Sequence, residues 1–350
     1  MKKKVAIFSL FGIKQSNVSI YATIILFTIL FAIGSISYDN FFTPQVFANL
    51  FIDNAYLIVV AVGETVAILT GGIDLSVGAM VAFVSMIAAD LLKKGVNPIV
   101  VIVFVLFVGM IFGTVQGFLI QKFKLHPWIV TLAGMFFARG SSYLISINSI
   151  TIENPVFTSI SSLRIPIGFG SHISANVVVS LIVVAAATYI LKYTKFGRTI
   201  YAIGGNENSA MLMGLPVSKT KILVYTFSGF CSSLGGLLFT IYTLSGYGLH
   251  CNGMEMDAIA ACVIGGVLLT GGVGSAIGPM FGVLTTGVIQ SLIMFQGTLN
   301  SWWTKIAVGM LLFIFIALQR VIVIRNGKRK TVISKSSENT IKNQVITPLN

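Results

Sequence analysis

Charge is what this chain has least of. Lysine, arginine, aspartate and glutamate together make up 9% of its 350 residues, and only 10 of them are acidic. Soluble domains carry about 25%, so a soluble globular fold is excluded. Hydrophobic residues at 55% and a mean hydropathy of +0.93 describe a protein that crosses a membrane many times. Cysteine is scarce as well: Cys231, Cys251 and Cys262 leave one over after any pairing and share no framework spacing, so disulfides are not expected to hold the fold. His126, His172 and His250 are scattered, with no metal spacing and no carboxylates arranged for hydrolysis. No Gly-x4-Gly-Lys-Ser/Thr phosphate loop occurs, so the chain is not expected to hydrolyse nucleotide itself. An enzyme has little to work with here, and neither a metal nor a cofactor is expected in the chain.

The formal net charge of +13 would point a soluble protein towards nucleic acid. Here the cations sit beside apolar runs. Lys2, Lys3, Lys4 and Lys14 precede the first run, Lys192, Lys195, Arg198, Lys219 and Lys221 bracket one polar loop, and another set spreads from Arg320 to Lys342. That placement reports orientation in a bilayer and not a nucleic-acid partner. The run from Val18 to Ile36 follows a basic start but has no well-placed small-residue cleavage site, and reads as an uncleaved span.

Apolar runs long enough to cross about 30 Å of hydrocarbon occur near 18–36, 98–120, 127–147, 173–192, 222–243 and 304–325, and two longer stretches, 51–92 and 257–296, are each broken in the middle. Counting each as two spans predicts about ten transmembrane helices in an all-α polytopic fold, with discontinuous helices in two related halves. Both termini then share one side, and their Lys/Arg content makes it the cytoplasmic one. Loops 37–50, 148–172 and 244–256 fall outside, and Lys122, Lys124 and the 193–220 loop fall inside; Lys93 and Lys94 oppose the bias. The organisation is a cytoplasmic N-terminus (1–17), a transmembrane domain (18–325) and a basic tail (326–350) whose composition predicts disorder.

The two breaks carry nearly the same words. Leu69-Thr70-Gly71-Gly72 returns as Leu269-Thr270-Gly271-Gly272, and Gly78-Ala79-Met80 as Gly278-Pro279-Met280. Glycine-interrupted apolar segments at matching places in two halves point to a transport pathway. Gly71 and Gly72 end the preceding helix, and Asp74 is placed to accept the amide of Ser76 or Val77 and open the next one. Such a break faces protein or a water-filled cavity, because amides cannot be left bare in lipid; it lines a substrate path or forms a tight turn at the surface. Only the first copy is acidic, Asp74 standing against Gly274, so any polar task at the breaks falls on the first half. Glu64 lies in an otherwise apolar stretch and is expected to face the bundle interior, as a polar group in a pathway or at a subunit seam, or as a carboxyl held protonated or paired, with Arg139 as the candidate partner. Asp257 opens the second broken stretch as a polar gate or an interfacial cap. Gly109, Gly113 and Gly117 form a small-residue ridge, and Gly278 with Gly282 another.

The segment 196–216 reads as a helix on the cytoplasmic face. Asn206 is a candidate N-cap with Glu207 at the first helical position, and Gly214-Leu215-Pro216 ends it; Met211, Leu212 and Met213 are carried to pack into something. A linker does not need such a helix, whereas a docking element for a cytoplasmic partner does.

The 71–78 motif, the run 196–206 and the runs 257–260 and 263–266 resemble the ribose-type permeases of bacterial ABC sugar importers, over about residues 20–325. The resemblance implies a membrane subunit working with a cytoplasmic ABC ATPase, which holds Mg-ATP, and with a periplasmic or lipid-anchored sugar-binding protein. It places 207–214 where the family has its Glu-Ala-Ala…Gly coupling helix. Glu207 and Gly214 are retained, but Asn208 and Ser209 replace the alanines, so the ATPase-coupling set here is Glu207, Asn208, Ser209, Gly214 and Pro216. The runs 133–140, 301–309 and 317–320 are similar to permeases of galactofuranose importers, which implies a second permease, homologous or identical. The pathway and hinge candidates are Glu64, Gly71, Gly72, Asp74, Asp257, Gly271 and Gly272. A proton-coupled carrier built on Glu64 or Asp74 is the alternative, and the docking helix argues against it.

Overall fold

The computed structural model of the chain describes residues 18–168, 170–298, 300 and 302–317. Lys2, Lys3, Lys4, Lys14, the rest of 1–17, Ser301, the segment 318–325 and the basic tail lie outside the described residues. Proline at the first helical turn starts four helices: α2 (Pro44–Leu69), α4 (Pro98–Lys122), α5 (Pro127–Ile145) and the short α6 (Pro155–Ser162). Its missing N–H is no loss there and its φ is already helical. Thr43, Asn97 and Asn154 cap three of them through their side chains. With α1 (Val18–Ser37), α3 (Val77–Lys93), α7 (Ala175–Tyr193), α8 (Lys195–Gly205), α9 (Glu207–Leu212), α10 (Val217–Thr243), α11 (Met254–Ile264), α12 (Ile277–Gln296) and α13 (Trp302–Ala317) the architecture is all-α and polytopic.

Seven of these helices are long and apolar enough to cross a membrane: α1, α2, α4, α5, α7, α10 and α12. The broken stretches, each expected to form two spans, differ from that expectation. α2 begins at Pro44 and runs 26 residues, about 39 Å at 1.5 Å per residue, so the first break falls at the end of a complete span. α3 has 17 residues and α11 only 11. Each broken unit therefore joins one full helix to one short one, long before short in the first half and short before long in the second.

Lipid is as apolar as leucine, so close packing and not hydrophobic exclusion holds helices together in a bilayer. The glycine ridge of α4 does this work. Cβ atoms added at Gly109 and Gly113 would come within 2.5 Å of Gly229 O and 2.1 Å of Tyr225 O on α10, so the two backbones touch. Gly278 and Gly282 press in the same way against Gly265 and Ala261, holding α12 to α11. The buried core lies around α2, α3 and α10, and the Thr23 hydroxyl of α1 donates to Ile264 O.

Loops sort to two ends. At one, β1 (Ile150–Thr151) pairs antiparallel with β4 (Ser245–Gly246), β2 (Arg164–Gly168) pairs with β3 (Ser171–Ser174), and the Gln45 side chain accepts from His172 N at 3.0 Å. At the other, Gln121 donates to Ser218 at 2.6 Å, and Lys124 and His126 share a cavity with Gly71 and Glu207. This is the grouping that charge bias implies. Lys93 and Lys94 keep company with β4, whose Gly246 packs on Ala89, and Lys94 is offset by Asp90 at 2.6 Å.

Candidate functional site

The two copies of the repeated motif meet. Gly272 N donates to Leu69 O at 2.9 Å, and a Cβ on Gly271 would fall 2.7 Å from Gly71 N. Gly71, Gly271 and Gly272 have φ of +80°, +83° and +75°, a region that L side chains avoid. A third glycine pair, at the end of α8, closes the junction: a Cβ on Gly204 would lie 1.9 Å from Leu69 O and 2.3 Å from Gly272 N, and one on Gly272 would lie 2.9 Å from Gly205 N. Gly-Gly pairs from three distant parts of the chain thus meet, and at Gly204, Gly271 and Gly272 the contact is backbone on backbone, closer than a side chain would allow. The Tyr201 hydroxyl of α8 donates to Gly274 O at 2.9 Å and tightens the same contact.

Behind this junction the chain turns back into the bundle. Asp74 N donates to Glu64 Oε1 at 3.1 Å, although Glu64 lies five residues before the end of α2. The break therefore climbs about 7 Å beside the helix it has just left. Asp74 Oδ1 accepts from Ser76 N at 3.0 Å and from the Ser76 hydroxyl at 2.6 Å, and Oδ2 accepts from the Ser228 hydroxyl at 2.7 Å, near the middle of the 27-residue α10. Gln116 Nε2 of α4 donates to Ser76 Oγ at 3.1 Å. The bond expected from the Ser76 amide to Asp74 is present, but Ser76 and not Asp74 stands at the N-cap of α3; Asp74 turns the chain just before the helix and belongs to a network joining α2, α3, α4 and α10. Asp74 is 1% exposed and Glu64 0%, so neither carboxylate borders open space in the single chain. Glu64 Oε2 and the Tyr225 hydroxyl, buried beside them, have no hydrogen-bond partner among the described residues.

The suggested pairing of Glu64 with Arg139 is not formed. Arg139 Nη1 donates instead to Gly248 O at 2.8 Å and His250 O at 2.7 Å, holding the non-helical segment that leads into α11. That segment brings α11 to α3: a Cβ on Gly78 would meet Glu255 Oε2 at 2.5 Å and Cys251 O at 2.9 Å. The N-termini of the two short helices therefore abut inside the bundle, each with a carboxylate beside its positive end. Glu255 was not legible as part of this cluster, since its neighbours in sequence, Met254 and Met256, give no sign of burial.

Asp257 stands apart from these groups. It lies in the first turn of α11, whose N-cap is Gly253 and not Asp257, and it pairs with Lys305 of α13 at 2.6 Å. The coupling candidates form their own unit. The Asn206 side chain accepts from Ser209 N at 2.8 Å, Gly214 turns the chain at φ +74°, and Glu207 pairs with Lys221 at 2.6 Å. Ala210 packs against Ile203 and Val217, which fixes α9 to α8 and α10. Asn208, Ser209 and Pro216 face outward, as do Met211, Leu212 and Met213, at 52, 89 and 68% exposure.

The family described as branched-chain amino acid transport system / permease component matches residues 46–316. The chain is 46% identical over 307 residues to the inner membrane ABC transporter permease protein YjfF of Escherichia coli K12, covering 87% of this chain and 93% of that one. It is 36% identical over 326 residues to the fructose import permease protein FruG of Bifidobacterium longum, covering 91% and 96%. It is also 36% identical over 271 residues to the ribose import permease protein RbsC of Escherichia coli K12, covering 77% and 84%. No solved structure matches it.

Proposed function

The chain belongs to the family described as branched-chain amino acid transport system / permease component, the membrane subunits of ABC transporters, and from that membership we propose that it carries a monosaccharide into the cell. Membership makes it a multi-pass transport subunit and not an enzyme. Sugar as the cargo class is supported by relatives named for fructose and ribose import. Galactofuranose or a close relative is the specific cargo we favour, on the resemblance carried by 133–140 and 301–309. The working assembly pairs this chain with a second permease, homologous or identical. A cytoplasmic ABC ATPase holds Mg-ATP, and a periplasmic or lipid-anchored protein delivers the sugar. Both termini and α9 face the cytoplasm.

The observation that carries the reading is the junction of glycine pairs. α8 and α9 are one rigid corner, with apolar side chains exposed on α9 and Gly204 wedged between Leu69 and Gly272. Closure of the nucleotide-binding subunits pushes on Met211, Leu212 and Met213. The push reaches both breaks through backbone contacts that cannot yield by rotating a side chain, and the short helices α3 and α11 are reoriented to expose the path to one side and then the other. Membership in an ABC family sets aside the carrier driven by protons on Glu64 or Asp74.

The test is uptake of radiolabelled sugar into vesicles holding the complete transporter with ATP inside. Removing Glu207 to Gly214 is expected to reduce uptake to background while the chain stays inserted, and wild-type uptake is expected to survive a protonophore. Uptake by the deletion variant would refute coupling through α9.

A further inference from the structure

Charged groups sit together on one flank of this molecule. Asp53 is exposed on α2, and the Asp257 and Lys305 side chains are 31 and 52% accessible. A charge within the hydrocarbon costs about 2.5–3.5 kcal/mol at the centre of a span, so this flank meets water or protein. The chemistry around them is not that of a plain helix seam. Tyr242 donates to Asp53 at 3.1 Å, its ring lies 6.1 Å from that of Tyr56, and Tyr56 borders a cavity of about 340 Å³ shared with Asp257 and the exposed indole of Trp302. That volume is at the small end of the ~300–1,000 Å³ found for small-molecule sites. A carboxylate at Asp53 and an ion pair at Asp257–Lys305, beside aromatic faces, suit a neutral polyhydroxylated ring whose hydroxyls bond to these groups while its C–H face lies on the rings.

Height in the bundle adds a role. Tyr242 is the last residue but one of α10, and Asp53 lies opposite it, at the end where β1, β4 and the 148–172 loop gather. The carboxylates of the interior, Asp74 and Glu64, are closed off by contrast. Asp53 and Tyr242 line a neighbouring cavity of about 270 Å³, with Arg164 and His172, on the other side of the Tyr56–Tyr242 ring contact. We infer that these two adjoining cavities, the one at Asp53–Tyr242 and the one at Asp257–Trp302, form the receiving site for the sugar, the first surface of this chain that the cargo meets on leaving the delivery protein. This rests on the sugar-import reading. The breaks at Gly71 and Gly271 then move the walls of the path and do not contact the cargo.

The test uses the complete reconstituted transporter with radiolabelled ribose, fructose and galactofuranose as probes. Asp53→Asn and Trp302→Ala are each expected to cut uptake of the transported sugar about 10–100-fold, the loss typical of a hydrogen bond or ring contact to a bound polar ligand, with the complex still assembled on co-purification. Wild-type uptake rates in both variants would overturn the inference. In a second measurement, Trp302→Cys is treated with a membrane-impermeant thiol reagent, read against the native cysteines of the parent. External labelling slowed by the transported sugar supports the site. Labelling unaffected by sugar, or confined to lipid-soluble reagents, overturns it. Absence of wild-type uptake for all three probes would count against the import reading itself, while the reagent's access to Trp302→Cys would still report whether water enters the cleft.

Discussion

Gly204→Ala is expected to disable transport although it adds a single methyl group. The new Cβ would lie 1.9 Å from Leu69 O and 2.3 Å from Gly272 N, and both neighbours are backbone atoms. No rotamer change relieves the clash. Either α8 lifts away from the two breaks or the breaks separate and lose the Gly272–Leu69 hydrogen bond. Overpacking of this kind costs about 1–3 kcal/mol, and the same displacement uncouples α9 from the pathway. Uptake is therefore expected to fall at least about tenfold, the equivalent of 1.4 kcal/mol, together with a lower melting temperature of the purified complex. Gly205→Ala is the control one residue away. Nothing lies within 4 Å of its added Cβ, and alanine is the better helix residue by roughly 0.5–1 kcal/mol, so wild-type uptake and melting are expected. Equal damage from the two substitutions would show that helix composition, and not the glycine junction, sets the outcome.

Asp74→Ala is expected to be the most destabilising of the interior substitutions. It leaves the Ser76 amide, the Ser76 hydroxyl and the Ser228 hydroxyl without their acceptor, in a place where Ser76 is 2% exposed and Ser228 0%. An orphaned buried donor costs about 1–3 kcal/mol. The hydroxyls can turn to other acceptors and the amide cannot, so the net loss is expected to be about 3 kcal/mol or more, at the upper end for single substitutions. Thermal unfolding in detergent, followed by tryptophan fluorescence, is the measurement. Asp74→Asn separates geometry from charge. Its carbonyl oxygen still accepts from Ser76, and the Ser228 hydroxyl can turn and accept from the amide nitrogen. It is expected to lose only about 1 kcal/mol and to retain uptake. Loss of uptake by a stably folded Asp74→Asn protein would assign the carboxylate a charge-dependent task in transport.

Parts of this site can be read locally and parts cannot. Asp74 two residues before Ser76 is a local signal, as are Asn206 before Glu207 and Gly214 at the end of α9, because capping is decided within one turn of chain. The ridge Gly109-Gly113-Gly117 announces that α4 packs closely but does not say against what; Gly229 and Tyr225 of α10 are the answer. Glu64 is recognisable as an interior carboxyl from its apolar surroundings, yet its partner is the Asp74 amide and not the Arg139 guanidinium. A guanidinium and a carboxylate attract in any list of residues, but Arg139 is committed to the carbonyls of Gly248 and His250, which need donors because their segment is not helical. Asp53 has no motif around it and is identified only by what stands opposite, Tyr242.

The sequence by itself determined the class of the protein, since 9% charge and long apolar runs leave no soluble solution. It determined where the helices stop, since glycine pairs, prolines and capping residues act on their immediate neighbours. It also determined the corner at 195–216 as a folded element. The tertiary structure alone decided that the two breaks are in contact with each other, that Gly204 and Gly205 complete their junction, and that the N-termini of α3 and α11 abut at Gly78 and Glu255. The reason is separation along the chain. Leu69 and Gly272, or Asp74 and Ser228, are brought together by the packing of whole helices, and a glycine carries no side chain whose character would betray the partner it is shaped to meet.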